Sequence, residues 1–213
     1  MNDEKLLRYK KPLRYISLDG ESENLNPVFN RPWQLAWIVV EDGKIISKND
    51  HHIDIKDLKV GDGAARVTHF DLRYHNSVAK SAQEVYDKLC IDLFDEKNIV
   101  LGHNFYFDFN LIKNLESYLG IKKWWNINQR VRDTMVLSKA YKLNINPPED
   151  PKEYVNWQFN LINHKQKGLK SSLGLMLNEF KIDHNPETLH NAIEDVTMTH
   201  HLFQKLIWAV KVY

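Results

Sequence analysis

Residues 15–21 of the chain are Tyr-Ile-Ser-Leu-Asp-Gly-Glu. The aromatic, β-branched and aliphatic residues at its start are typical of a β-strand. The strand ends in two carboxylates, Asp19 and Glu21, which point the same way because side chains alternate along a strand. Two carboxylates on one face raise each other's pKa unless a cation lies between them. Hard divalent cations such as Mg²⁺ and Mn²⁺ prefer oxygen ligands, so this stretch predicts a catalytic metal site.

The composition is that of an ordinary soluble globular protein. The chain has 213 residues, of which 43% are hydrophobic and 27% are charged, and this length predicts a single domain over residues 1–213. The net charge of +1 does not indicate a strongly basic nucleic-acid-binding protein. It does not exclude nucleic acid as a partner, because the negative charges of an acidic metal site would offset the positive charges of substrate-binding residues in the net charge.

Cysteine content and hydropathy indicate a cytoplasmic protein. Cys90 is the single cysteine, which excludes an intramolecular disulfide and argues against a cysteine-based zinc site. The N-terminus has no apolar segment of the kind found in signal peptides, and we expect residues 1–12 to form a flexible arm. The longest apolar run, Ala36 to Val40, is far too short to span a bilayer, so no membrane association is predicted.

The order of predicted elements gives an α/β fold. Strands are predicted over residues 13–19, 33–40, 45–53, 98–102 and 129–132, the first three as an antiparallel meander with a hairpin turn at Asp42-Gly43. Helices are predicted over residues 81–94, 107–119, 134–142, 171–181 and 191–210. Residues 57–80 are predicted to be irregular, and residues 143–167 to be an insertion made of loop and helix.

Two further acidic residues stand at predicted helix starts. Asp108 follows the apolar strand 98–102 at a strand-to-helix junction, which is where ligands bind in open α/β sheets. Asp195 lies in the first turn of the last helix, where the helix dipole favours a carboxylate. His190 precedes that helix on a lead-in segment, and its side chain type suits a general base.

Three motifs in this order resemble the DEDDh group of 3′–5′ exonucleases. They are Asp-x-Glu at 19–21, His-Asn-x-x-Phe-Asp at 103–108 and His-x-x-x-x-Asp at 190–195. The proofreading epsilon subunit of bacterial replicative polymerase, RNase T and oligoribonuclease belong to this group. Segments 81–85, 133–137 and 168–173 also resemble it, so the similarity covers about residues 13–205.

The resemblance implies a fold and a mechanism. The fold is an RNase H-like mixed five-stranded sheet flanked by helices. Asp19, Glu21, Asp108 and Asp195 match the four metal-binding acids, and His190 matches the general base. Two Mg²⁺ or Mn²⁺ ions at these acids would promote in-line attack of water on the terminal phosphodiester. The implied products are nucleoside 5′-monophosphates released from a 3′ end.

Substrate contacts are predicted near the motifs. Many relatives have Thr-Thr-Gly or Thr-Ser-Gly after the motif glutamate, whereas this chain has Ser22-Glu23-Asn24, so Ser22 is the candidate contact to the terminal nucleotide. Asn104, Phe105 and Tyr106 lie inside the second motif, and the two aromatic residues are candidates to stack on the terminal base. The segment Arg-Pro-Trp-Gln-Leu-Ala at 31–36 resembles exonuclease I, which degrades single-stranded DNA.

Three functions are compatible with these observations. The favoured one is a metal-dependent 3′–5′ exonuclease acting on the 3′ end of single-stranded or frayed DNA. The second is a 3′–5′ exoribonuclease on short RNA or RNA 3′ ends, and the contacts to a 2′-hydroxyl that would distinguish them are not visible in a sequence. The third is a non-catalytic module that binds nucleic acid or a polymerase. A polymerase or another replication protein is a candidate partner for any of them.

Overall fold

A computed structural model describes residues 13–24 and 30–210. The chain opens with three long strands, β1 (Arg14–Ser22), β2 (Pro32–Glu41) and β3 (Lys44–Asp54), which pair as an antiparallel meander. The turn between β2 and β3 has positive φ at both Asp42 (50°) and Gly43 (75°), the conformation that two-residue hairpins need. The predicted meander and its turn are confirmed.

Eight α-helices, one 3-10 helix (Asn128–Arg130) and three short strands complete the described part of the chain. The strands are β4 (Lys80–Ser81), β5 (Ile99–Gly102) and β6 (Val131–Asp133). The helices are α1 (Asp62–Thr68), α2 (Leu72–Val78), α3 (Ala82–Leu93), α4 (Phe105–Tyr118), α5 (Thr134–Leu143), α6 (Pro151–Asn163), α7 (Leu173–Glu179) and α8 (Ala192–Ala209). None of the described helices has the length and apolar content needed to cross a membrane.

The sheet is mixed and has six strands in the order β4-β3-β2-β1-β5-β6. β5 pairs parallel to β1, and β6 pairs parallel to β5, so their carboxyl ends meet the end of β1 at one edge. The α/β class and the five predicted strands are confirmed, and the count of five is corrected to six. The additional strand, β4, pairs with β3 through two residues only, which is too short to give a periodic sequence pattern.

The prediction that residues 57–80 are irregular was wrong, because they contain α1 and α2. Each helix has seven residues, about two turns, so the apolar repeat that marks a helix has no room to appear. The signal that was present is a cap: the Asp71 side chain accepts a hydrogen bond from the backbone N–H of Tyr74 at 2.7 Å. His69 ends α1 with a left-handed φ of 55°.

The sheet has a hydrophobic core on each face. One core packs α5, α7 and α8 against residues such as Tyr15 and Ile38. The other packs α3 and α4 against residues such as Ile16, Leu18 and Trp37. Successive residues of β1 therefore enter different cores, as strand geometry requires, and helices flank both faces as predicted.

The predicted insertion at 143–167 contains α6, whose first turn is capped by Asp150 through the backbone N–H groups of Lys152 and Glu153. The single-domain organisation stays a prediction. The predicted flexible arm at residues 1–12 lies outside the described residues.

Candidate active site

β1 presents Asp19 and Glu21 toward α8. The same face of β1 contacts α8 through two polar side chains further back along the strand. Ser17 Oγ donates a hydrogen bond to the carbonyl oxygen of Val196 at 3.1 Å. Tyr15 Oη lies 2.5 Å from Nδ1 of His200. These two contacts fix the position of α8 along the strand. Because side chains alternate between the two faces of a strand, Asp19 and Glu21 lie on the same face as Tyr15 and Ser17, the face that packs against α8.

Gly20, between the two carboxylates, joins β1 to α4. Its N–H donates to Oδ1 of Asp108 at 3.0 Å. A Cβ at Gly20 would lie 2.9 Å from Leu35 Cδ2 and 3.2 Å from Leu111 Cδ1, so the packing has no room for a side chain. Asp108 lies in the first turn of α4 and is 2% exposed. The strand and the helix are thereby held close enough to bring Asp108 beside Asp19.

α8 supplies the fourth carboxylate, and the segment before it supplies the histidine. Asn191 caps α8 by accepting the N–H of Ile193, and Asp195 lies in the first turn. His190 is exposed, and its backbone adopts a left-handed φ of 71°. Its N–H donates to Oδ1 of Asp195 at 3.3 Å. This contact holds the histidine next to the carboxylate while leaving the imidazole toward solvent.

These residues converge on a cavity of about 390 Å³. Asp19, Glu21, Asp195 and His190 line it, and Asp108 lies directly behind the Gly20 backbone. The remaining wall comes from the end of β1, from α1 and from the first turn of α4, through Gly20, Ser22, Asn24, Gly63, Ala64, Val67, Thr68 and Phe107. The cavity is thus acidic at its floor and largely apolar along one wall.

Burial and mutual repulsion shift the pKa values of the two carboxylates on β1 upward. The pKa of Asp19 is raised well above its usual value, first by burial and then by the charges of Asp108, Asp195 and Glu21. The pKa of Glu21 is raised to about 8 by burial, with a further contribution from Asp195. Both groups therefore resist ionisation unless positive charge is supplied to them.

The two carboxylates on the helices are shifted in the same direction. Burial raises the pKa of Asp108 well above its usual value; Asp133 and Glu21 add to the effect, and the hydrogen bond from Gly20 opposes it. Burial raises the pKa of Asp195 to about 6, although the N–H and the charge of His190 lower it. All four acids share one environment that disfavours four unneutralised negative charges.

Asp133 organises the junction beneath the second motif. It is 2% exposed and accepts hydrogen bonds from the N–H groups of Asn104 (3.1 Å), Phe105 (2.8 Å), Met135 (2.8 Å) and Val136 (3.4 Å). Its carboxylate therefore caps α5 and fixes the start of α4 at the same time. Because the four N–H groups occupy its oxygens, Asp133 has a structural role.

The predicted substrate contacts fall in two places. Ser22 lines the active-site cavity, and its hydroxyl donates to the carbonyl oxygen of Asn24 at 2.6 Å. Asn104, Phe105 and Tyr106 do not line that cavity. Phe107 does, together with four residues of α1, and the sequence analysis did not identify any of these. A helix of two turns between irregular segments gave no signal that its residues would reach the acids.

Glu23, where the chain departs from the exonuclease pattern, holds the loop after β1 in place and does not line the active-site cavity. Its carboxylate binds the Arg31 guanidinium at 2.6 and 3.0 Å and accepts the N–H of Lys59 at 2.9 Å. Burial alone would raise the pKa of Glu23, but these contacts lower it below its usual value. The backbone carbonyl of Glu23 also accepts the N–H of Gly61, so the end of β1 positions α1 at the cavity.

The family assignment rests on the whole length of the fold. The sequence model of the Exonuclease family, RNase T type, matches residues 16–203, which include every motif residue. The chain belongs to the exonuclease family. The resemblance to DEDD-type 3′–5′ exonucleases that the motif order predicts is confirmed. A comparison with curated protein sequences gave no match.

Solved structures agree with this exonuclease assignment at the level of the fold. E. coli exonuclease I in complex with a dT13 oligonucleotide matches with a TM-score of 0.70 and 18% identity over 91% of this chain and 41% of its own. A dA16 complex and the zinc-bound form of an exonuclease I–single-stranded DNA complex, both from E. coli, each match with a TM-score of 0.70 and 20% identity over 92% and 40%. The chain spans about two fifths of the length of these exonuclease I structures.

Membership of the exonuclease family implies dependence on a divalent cation, and the four acids fit that requirement. They offer only carboxylate oxygens, the ligands that hard cations prefer, and their raised pKa values show that positive charge would stabilise the ionised forms. Among residues 13–24 and 30–210, no three acidic, histidine or cysteine side chains are already arranged around one point as ligands. Oδ1 of Asp108 accepts the N–H of Gly20 in this arrangement.

The raised pKa values predict that stability depends on pH and metal together. A carboxylate with a raised folded-state pKa stabilises the fold fully below its unfolded value, 4.5 for Glu21, and this stabilisation is lost as pH rises through about 8. We expect the unfolding temperature in EDTA to fall by several degrees from about pH 5.5 to about pH 8.5. Millimolar Mg²⁺ or Mn²⁺ should restore it at the higher pH and have little effect at the lower one.

The control for this measurement is Glu21→Gln, which removes one of the titrating groups. The variant should show a clearly smaller fall in unfolding temperature between the two pH values in EDTA. Equal stabilisation by metal at both pH values would contradict a site where ions and protons compete for the same carboxylates.

Proposed function

We propose that this protein is a metal-dependent 3′–5′ exonuclease that releases nucleoside 5′-monophosphates from single-stranded or frayed DNA. One observation carries the proposal: three carboxylates and an exposed histidine line one cavity, and a fourth carboxylate, Asp108, lies directly behind it, in a chain of the exonuclease family. All four carboxylates have raised pKa values. A site of this kind attracts cations, bound cations would in turn attract a phosphate, and the apolar wall beside the acids suits a nucleotide.

Each acid has a role in holding the ions. Asp19, Glu21, Asp108 and Asp195 would ligate two divalent cations, Mg²⁺ or Mn²⁺. When bound, the ions neutralise the scissile phosphate, lower the pKa of a water and stabilise the leaving oxygen. The acids hold the ions at the sheet edge where β1, α4 and α8 meet, so their positions are set by elements of the core.

The remaining residues act on the nucleotide and on the proton. His190 accepts the proton of the attacking water, and its exposed position lets it pass that proton to solvent. The water oxygen forms a bond to phosphorus as the bond from phosphorus to the 3′ oxygen of the preceding nucleotide breaks. Phe107, Val67 and Thr68 form the cavity wall against which the terminal nucleotide packs.

DNA is the proposed substrate because the matching exonuclease I structures hold deoxyoligonucleotides. Those proteins are described in complex with dT13, dA16 and single-stranded DNA. The similarity of fold supports the proposal that this chain also acts on single-stranded DNA. A cytoplasmic location and a polymerase partner stay predictions of the sequence.

A degradation assay tests the function. The protein is incubated with 5′-labelled single-stranded DNA, duplex DNA and RNA of one sequence, in Mg²⁺, Mn²⁺ or EDTA. We expect a ladder that shortens from the 3′ end of single-stranded DNA with either metal and no cleavage in EDTA, with deoxynucleoside 5′-monophosphates as products by mass spectrometry. Internal cuts or activity in EDTA would contradict the proposal, and faster cleavage of RNA would assign the substrate to RNA.

A further inference from the structure

A second cavity lies beside the active site, between α4 and α6. It has a volume of about 320 Å³ and includes Phe105, Tyr106, Phe109 and Phe159 in its walls. Tyr106 is 63% exposed and Phe159 is 67% exposed, and they stand on the two different helices. Single exposed apolar residues are common, but aromatic rings grouped around one cavity are typical of a binding surface. We call this cavity the α4–α6 groove. Two of the residues predicted to contact substrate, Phe105 and Tyr106, line it.

The α4–α6 groove also offers free polar groups. Gln158 accepts the N–H of Asp133 through Oε1 at 3.0 Å, and its Nε2 has no acceptor within the described residues. The Asn128 amide and the Tyr106 hydroxyl also line the groove without hydrogen-bond partners in that part of the chain. Asp133 borders the groove, but its oxygens already accept four N–H groups. Flat apolar walls combined with free amide groups fit a nucleobase.

The groove and the active-site cavity lie on two sides of the first turn of α4. Phe107 lines the active-site cavity, and its neighbour Tyr106 lines the groove. A helix with its side chains is about 10–12 Å across, a distance that a strand with at least about 3.4 Å per nucleotide covers in a few nucleotides. If the terminal nucleotide occupies the active-site cavity, the strand on its 5′ side can reach the groove.

Positively charged side chains lie just beyond the C-terminal end of α6. Lys165 and Lys167 are exposed and line an open hollow of about 500 Å³, and neither forms an ion pair with a described residue. The single acidic residue in α6, Glu153, lies in its first turn at the other end of the helix. Aromatic platforms followed by free cations form the combination with which proteins bind single strands.

We propose that the α4–α6 groove holds one base of a single-stranded nucleic acid, on the 5′ side of the nucleotide in the active site, with Phe159 as its stacking platform. The proposal rests on the proposed function for the direction of the strand. It gives α6, which lies within the insertion at residues 143–167, a role in binding the substrate strand. Lys165 and Lys167 then contact phosphates further along the strand.

Binding measurements test the groove without relying on catalysis. Full-length protein carrying Asp108→Asn is titrated into a short 5′-fluorescein-labelled oligothymidylate, and Kd is read from anisotropy. Adding Phe159→Ala should weaken binding about 5- to 100-fold, as expected for the loss of one stacked base. Phe159→Trp should restore most of the affinity. Because Phe159 is 67% exposed, the alanine variant should keep its unfolding temperature.

A matched control and an abasic scan make the test specific. Trp124, 92% exposed and outside the groove, is the control, and Trp124→Ala should leave Kd unchanged. One abasic position, placed 5′ to the terminal nucleotide, should weaken binding in the Asp108→Asn background and have no further effect once Phe159→Ala is present. That lack of additivity identifies the base that meets Phe159.

Several outcomes would overturn the groove proposal. Equal Kd values for Phe159→Ala and Trp124→Ala would do so, as would abasic effects that add fully to Phe159→Ala at every position. Self-association that Phe159→Ala abolishes, with oligonucleotide affinity unchanged, would assign the groove to a second copy of the chain. Binding with the expected coupling but no cleavage by the wild-type protein would retain the groove and reject the exonuclease activity, so the two proposals fail separately.

Discussion

Asp108→Asn is expected to lower exonuclease activity at least about 10³-fold while the fold is retained. The change removes a negative charge from a buried site where four carboxylates would share two cations. Such ions lower the activation free energy by several kcal/mol. Each 1.4 kcal/mol, roughly, corresponds to a tenfold change in rate. An asparagine oxygen can still accept the N–H of Gly20 that Asp108 accepts at 3.0 Å. The contact between β1 and α4 is therefore kept, and the expected loss of activity comes from the missing metal ligand and not from a change in the fold.

Stability should move in the opposite direction to activity. Since neighbouring carboxylates and burial raise the pKa of Asp108, removing its charge relieves repulsion, and the unfolding temperature in EDTA at about pH 8 should be equal to or higher than that of the wild type. Calorimetry and the degradation assay measure the two effects on the same samples.

The matched control is Asp87→Asn on α3. Asp87 is exposed, and an asparagine there can still accept the hydrogen bond from Gln83 that Asp87 accepts at 2.8 Å. This variant should keep wild-type activity. If Asp108→Asn were as active as Asp87→Asn, Asp108 would not be a metal ligand.

His190→Asn is expected to reduce kcat by about 10²–10⁴-fold, the usual contribution of a general base. Asparagine is the better replacement because His190 has a φ of 71°, a region that asparagine tolerates and alanine does not. The backbone N–H that donates to Asp195 is kept in this variant. Stabilisation by Mg²⁺ at about pH 8.5 should therefore stay within error of the wild type.

Chemical rescue separates a missing base from a displaced loop. Because His190 is exposed at the cavity, added imidazole should reach the vacated position and recover part of the rate of His190→Asn. His69→Asn is the matched control, since His69 is also exposed and left-handed with a φ of 55°. A rate for His190→Asn equal to that of His69→Asn would remove His190 from the mechanism.

The parts of the fold that local pattern determines could be predicted from the sequence. The alternation along β1 predicted that Asp19 and Glu21 share a face, and the structure shows them on one wall of one cavity. A helix was predicted to begin at residue 81, and α3 does start there, with Ser81 Oγ accepting the N–H of Glu84 as its cap. These signals lie within a few residues of one another, so no knowledge of the tertiary structure is needed to interpret them.

The residues that line the two cavities beside α4 depend on tertiary structure, and the sequence did not indicate which residue lines which cavity. A helix starting near Phe107 would leave Phe105 and Tyr106 in a loop, free to reach the active site. α4 instead starts at Phe105, because Asp133 on β6 accepts the N–H groups of Asn104 and Phe105. At about 100° per residue, Phe107 then lines the active-site cavity and Tyr106 the α4–α6 groove.

The two polar contacts between β1 and α8 make the position of Asp195 depend on the exact number of residues between it and Val196. Ser17 holds Val196 and Tyr15 holds His200, one helical turn apart. Inserting one residue directly between Asp195 and Val196 would keep both of these contacts. It would turn the position of Asp195 by about 100° around the helix axis. An insertion at this one position would therefore move a proposed metal ligand while the rest of α8 stays anchored to β1, an effect that a substitution on the surface of α8 would not have.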